Sequence, residues 1–188
     1  MKIIANDIRV GHILEHEGKL WTVLKTMHTQ PGKGGAFMQV EMKEVREGTK
    51  LNVRFRSSET VDKARLELKH FQFLYMNGDQ LELMDQETYE QTSISKALVG
   101  EQAEFLQENM ILSVECHQDQ PVMVSLPELV TCTITDCEPV VKGQTAASSY
   151  KPAILDNGAR VMVPPFIGAG DRIIVRVTDK QYIERAKE

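Results

Sequence analysis

The chain has 188 residues, 41% of them hydrophobic and 26% charged, with a formal net charge of −5; this is the balance of one large soluble domain or two to three small ones. No apolar run approaches the ~20 residues needed to cross a bilayer, and the start Met1-Lys2-Ile3-Ile4-Ala5-Asn6-Asp7 lacks a signal-peptide core, so a cytoplasmic protein is expected. The acidic total argues against a protein that coats nucleic acid nonspecifically, and Cys116, Cys132 and Cys137, odd in number and without a CxxC pair, read as reduced structural thiols.

The first segment, residues 1–63, reads as all-β. A short apolar piece at 3–8 is followed by Val10-Gly11-His12-Ile13-Leu14 and a polar hairpin turn, Glu15-His16-Glu17-Gly18-Lys19. Residues 19–28 and 37–45 read as strands; in the second, Met38, Val40 and Met42 alternate with Gln39, Glu41 and Lys43. Residues 51–56 alternate again after a turn at Glu47-Gly48-Thr49, and Ser57-Ser58-Glu59-Thr60 interrupts the pattern. Five short strands joined by tight turns suggest a small SH3-like barrel.

Between the two longest strands lies Thr29-Gln30-Pro31-Gly32-Lys33-Gly34-Gly35-Ala36. Pro31 stiffens the approach, and Gly32, Gly34 and Gly35 remove the neighbouring side chains that would bury or pair with Lys33. The nearest acid downstream is Glu41. Such a loop holds its lysine out like a probe, roughly 10 Å beyond the sheet if about three residues extend on each side.

The second segment, residues 64–127, opens with a mostly alternating run over 66–75, closed by the hairpin signal Asn77-Gly78-Asp79. Residues 81–84 continue the sheet, residues 95–110 read as a helix weakened by Gly100, and 111–116 and 122–126 read as strands. Strands around one short helix fit an OB-type barrel. Pro127-Glu128 marks a joint; beyond it residues 128–188 offer strands at 129–137, 160–163 and 172–178, consistent with a second OB barrel. Charge is uneven: the first segment carries 11 basic and 8 acidic side chains, the second 3 and 11, the third 8 of each. The outer segments therefore suit local RNA contact, and the middle one suits basic protein or solvent.

Enzyme chemistry is not expected. His12 and His16 stand at i, i+4, but Gly11 and Gly18 place them on a strand and a turn rather than on a zinc-binding helix face. His28, His70 and His117 are scattered without triad spacing. Gly32-Lys33-Gly34 lacks the earlier glycine and following Ser or Thr of a nucleotide-binding loop. No metal and no cofactor are called for.

Taken with Asp85-Gln86-Glu87-Thr88-Tyr89-Glu90-Gln91 in the middle and Lys151-Pro152-Ala153, Val161-Met162-Val163-Pro164-Pro165 and Gly170-Asp171 near the end, the tip loop gives the whole chain a specific resemblance to the bacterial elongation factor P family. The resemblance implies an N-terminal SH3-like or KOW-like barrel and two OB-fold barrels in an L-shaped, tRNA-like arrangement. It implies a monomer bound to the ribosome between the peptidyl and exit sites, relieving stalling at consecutive prolines, with peptidyl-tRNA, ribosomal RNA and the mobile stalk protein of the large subunit as partners. Lys33, flanked by Gln30, Pro31, Gly32, Gly34 and Gly35, matches the position that lysine-modifying enzymes extend with a β-lysyl or other amine group. Gly143-Gln144-Thr145 matches a loop that approaches the exit-site codon, with Gln144 where an acidic residue is frequent. Tyr182 and Arg185 match a pair that contacts tRNA or ribosomal RNA, and Arg54 and Arg56 are further candidates for tRNA contact.

Two other readings stay open at this point. A paralogous elongation-factor-P-like protein shares the architecture and differs at the tip, where Pro-Gly-Lys-Gly favours the main family. A generic single-stranded RNA-binding OB protein calls for several exposed aromatics along a basic groove, which 6% aromatics and an acidic middle segment do not supply.

Overall fold

The computed structural model describes residues 1–140 and 149–187. Its sixteen described strands build three antiparallel sheets, and no helix among the described residues is long and apolar enough to cross a membrane. By contact density the chain divides into two compact units, Met1–Leu68 with Glu115–Val122, and Lys69–Val114 with Met123–Glu188.

In the first unit β1 (Lys2–Ile4), β2 (Ile13–His16), β3 (Lys19–Thr29), β4 (Phe37–Glu44), β5 (Lys50–Arg56) and β6 (Thr60–Lys63) form a sheet in the order β1-β6-β2-β3-β4-β5. The alternation along β4 sends Met38, Val40 and Met42 inward, where they pack with Leu14, Trp21, Val23 and Phe55 around Ala5 and Ile8. Trp21 is buried yet satisfied, because its indole N–H donates to the His16 carbonyl at 3.0 Å. The expected interruption after Arg56 is brief: Thr60–Lys63 is a strand, registering Ile3 against Val61 and Leu14 against Lys63. At four residues it is too short to announce itself by alternation.

The middle sheet has the order β11-β10-β7-β8-β9, with β7 Glu67–Asn77, β8 Gln80–Asp85, β9 Gln91–Ser95, β10 Ile111–His117 and β11 Gln120–Ser125. Asn77 pairs with Gln80 across the two-residue turn Gly78-Asp79. The helix expected over 95–110 is absent. Residues 91–95 form a strand instead, followed by 3₁₀ turns at Lys96–Leu98 and Gly100–Phe105. Gly100 takes a φ of +72°, outside the right-handed helical region, and so divides the segment.

Phe105 explains why the second turn is retained. It is 1% exposed and enters the core made by Val130, Cys132 and Ile134 of β12 (Leu129–Cys137), together with Leu155, Val163 and Ile173. Burying such a ring is worth about 1.5–3 kcal/mol. Gln107 donates to the Thr131 carbonyl at 2.8 Å, and Lys180 lies 2.6 Å from Glu104, fastening the turn on either side. The third sheet runs β14-β13-β12-β15-β16, with β13 Lys151–Leu155, β14 Arg160–Val163, β15 Arg172–Arg176 and β16 Gln181–Arg185. Neither β13 nor β16 is visible in the sequence pattern. Pro152 breaks the β-propensity of the former, and the latter is a mostly exposed final strand.

Candidate nucleic-acid interface

The antiparallel pair β3–β4 runs in register out to Thr29 opposite Phe37, and residues 30–36 close it. Gln30, Pro31, Gly32, Lys33, Gly34 and Gly35 are all exposed, and Ala36 is half-buried. Only Gly34 has a backbone that demands glycine, with φ +114°; a Cβ on Gly32 or Gly35 would meet nothing within 4 Å. Among the described residues no carboxylate pairs with Lys33 and no hydrogen bond holds its ammonium. The loop thus presents one free cation at the end of a long strand pair.

Its base is braced. The Ser57 N–H donates to the Ala36 carbonyl at 3.0 Å, and the Ser57 hydroxyl lies 3.2 Å from His28 Nε2. Phe37 registers against Arg56, and the Arg54 guanidinium sits 4.2 Å from the centre of the Phe37 ring. This diagonal cation–π contact between neighbouring strands contributes about 0.5–1 kcal/mol at an exposed site. Arg54 and Arg56 therefore stand on the outward face of the sheet immediately beneath the tip, Arg54 in a row with Gln39 and Met27. The stacking of Arg54 on Phe37 and the Ser57 bridge escape a sequence reading. The only signal available is the register itself, once both strands are aligned.

The terminal candidates occupy β16. A register shift opposite Ile174 and Val175 sets Tyr182 against Val175 and Arg185 against Ile173. Tyr182 is half-buried against the third core, and that burial pushes its phenol above the ordinary range. Arg185 remains exposed but donates to Asp171 Oδ1 at 2.7 Å, while Asp171 Oδ2 accepts the Gly168 N–H at 2.8 Å. The ring and the guanidinium share a strand without sharing an environment. Gly143, Gln144 and Thr145 lie outside the described residues.

Neither histidine of the i, i+4 pair faces a metal partner set. His12 belongs to the turn before β2, and the His16 ring packs edge-on against Phe55 at 5.9 Å. No group of three or more His, Cys, Asp or Glu suited to a metal occurs among the described residues. Burial, followed by the charge of Asp156, pushes the Cys132 thiol up to about 11, which leaves it a poor nucleophile.

Three family models match in chain order: the Elongation factor P (EF-P) KOW-like domain over residues 4–61, the Elongation factor P (EF-P) OB domain over 66–124, and Elongation factor P, C-terminal, over 130–185. An elongation factor P from Zymomonas mobilis subsp. mobilis is 58% identical over 186 residues, covering 99% of this chain and 100% of the relative. One from a Chelativorans species is 55% identical over the same span and coverage. Among solved structures, a eukaryotic translation initiation factor 5A from Methanococcus jannaschii superposes with a TM-score of 0.58 at 21% identity, over 67% of this chain and 92% of that one, a likeness of fold. With three consecutive domain matches and more than half of the residues shared across nearly the full length, the chain belongs to the elongation factor P family.

Proposed function

We propose that this protein is a translation elongation factor that binds the ribosome between the peptidyl and exit sites and relieves stalling at consecutive prolines. In this reading it works as a cytoplasmic monomer built from three barrels, residues 1–63, 64–127 and 128–188. It has no bond chemistry of its own and positions the acceptor end of peptidyl-tRNA through Lys33. The observation that carries the proposal is the contrast at the tip: an exposed, unpartnered Lys33 on a loop whose base is braced by Ser57, Phe37 and Arg54.

Proline is a stiff donor and a poor nucleophile, so its peptidyl-tRNA is easily held out of line for attack. A cation reaching the phosphates of the acceptor end fixes that end, and orientation alone is worth up to roughly 7–11 kcal/mol in favourable systems. A small share of that relieves a stall. An amine extension placed on Lys33 by modifying enzymes would lengthen the reach and add donors without disturbing the braced base. Arg54 and Arg56, on the face below the tip, are placed to follow the same RNA backbone. Tyr182, Arg185 and the segment Gly143-Gln144-Thr145 would supply contacts from the third barrel, and the large-subunit stalk protein would meet the acidic middle one.

Two measurements test this. Mass analysis of the Lys33 peptide, from protein purified out of its own host, is expected to show an added group on that lysine. Lys33→Ala is expected to fold normally and fail to relieve polyproline stalling. Full rescue by Lys33→Ala overturns the mechanism. An unmodified but active Lys33 leaves the positioning role intact and removes the modifying enzymes from it.

A further inference from the structure

We infer that the first compact unit carries a second anion site, a groove lined by His12, Lys63 and Arg65 with Arg9 beside the His12 turn, that binds the phosphodiester backbone of RNA. The inference rests on the proposed function for its choice of anion, and on the following geometry for the site.

The turn Arg9-Val10-Gly11-His12 is closed twice over: the His12 N–H donates to the Arg9 carbonyl at 3.1 Å, and the Arg9 N–H donates to His12 Nδ1 at 3.2 Å. With Nδ1 accepting, the proton of the neutral ring resides on Nε2, which is left as a donor. The Arg9 guanidinium is fixed beside the turn by the carbonyls of Asn6 and Ile8, at 2.8 and 2.9 Å. Carbonyls orient this cation and leave its charge in place. Residues 63–65 run alongside, because Lys63 registers against Leu14 and the Ala64 N–H donates to the Ile13 carbonyl at 2.9 Å. Met1, whose ammonium donates to the Lys63 carbonyl at 3.0 Å, lines the groove together with Gly11, Leu66 and Glu115.

Among the described residues Arg9, Lys63 and Arg65 enter no ion pair, whereas Lys19, Lys50, Arg176, Lys180 and Arg185 each lie within 4 Å of a carboxylate. Lys63 and Arg65 therefore line a groove that one acid, Glu115, faces, and Arg9 adds its charge from the His12 turn. His12 registers the field: burial first, then Lys63, then Arg9, hold its imidazole below the ordinary range. Mutual repulsion of this kind is relieved when an anion binds. The groove lies apart from the tip loop, so it lends the first compact unit a second, sequence-independent hold on RNA.

The test uses the full-length protein and the His12 imidazole as reporter by NMR. Without ligand, Lys63→Gln is expected to raise the His12 pKa toward the ordinary value; an unchanged pKa shows that the cations do not converge and overturns the site. A short RNA hairpin, inorganic phosphate and a polyglutamate peptide are then titrated separately. The RNA hairpin is expected to shift His12 saturably, and Lys63→Gln/Arg65→Gln is expected to reduce the slope of log K against log salt by about 1.4–1.8. Tighter binding of polyglutamate, saturation by phosphate at the same concentration as RNA, or an unaltered slope overturns the proposal. Stall relief by the unmutated protein is measured in parallel. Its absence counts against the proposed function, while its presence with an unaltered slope in the double variant counts against the groove alone. If the double variant melts early, each single substitution is expected to lower the slope by about half as much.

Discussion

Lys33 and Arg185 are both exposed cations near the ends of their barrels, and they are held in opposite ways. Arg185 is tied to Asp171, whose other oxygen is tied to the Gly168 N–H, so its position is defined by a chain of bonds ending in backbone. Lys33 has no such partner; what is fixed is the strand pair beneath it, through Ser57, His28 and the Arg54–Phe37 stack. A pinned guanidinium suits a partner of fixed geometry, because little side-chain freedom remains to be lost on binding. A free ammonium on a glycine-rich loop suits a partner whose position must be sought. The difference separates holding from reaching.

The largest expected effect tests the reaching end. Lys33→Ala should lower the rate of peptide-bond formation at a polyproline stall by on the order of 100-fold or fully to the factor-free rate, with thermal stability unchanged. A comparable melting shift would show that Lys33 has structural partners after all. At the holding end, Asp171→Ala removes the acceptor for both Arg185 and the Gly168 N–H and should cost about 1–3 kcal/mol in denaturant unfolding. Equal stability of that variant would erase the distinction between the two cations. Gly34→Ala should cost about 1 kcal/mol and displace the tip, because φ +114° is strained for an L side chain, while Gly35→Ala stays within about 0.5 kcal/mol. Stall-relief rates of the two variants separate loop shape from loop composition.

The smallest effect is a matter of pH. Native His12 resists protonation, so as pH falls through the ordinary imidazole range the unfolded chain takes up a proton that the folded chain does not. His12 therefore contributes a loss of stability on acidification, and Lys63→Gln should shallow that slope in urea titrations between neutral and mildly acidic pH. A slope left unchanged would mean that Lys63 does not act on the imidazole.

Residues 37–44 show how much a sequence determines unaided. Alternation of Met38, Val40 and Met42 with Gln39, Glu41 and Lys43 is a local property with one structural meaning, a strand with a buried face, and the structure has it. The exposed Lys33 loop was legible for the same reason, since Pro31 and three glycines act on their own backbone. Residues 95–110 show the limit. Their apolar spacing resembles a helix, yet Gly100 breaks the segment and Phe105 is claimed by a core made from residues 130–177. The strand at Thr60–Lys63 exists because a distant partner, Lys2–Ile4, pairs with it, whereas Lys151–Leu155 and Gln181–Arg185 are hairpin partners of Arg160–Val163 and Arg172–Arg176 and lack an alternation of their own to announce it. The same holds for the groove: Arg9 and His12 share a local turn, but that turn meets Lys63 and Arg65 only because β2 and β6 are neighbours. Local stereochemistry and side-chain period were fixed by the chain itself. Which charges face one another was decided by strand pairing across 50 residues, a contest among many registers that only the packed core resolves.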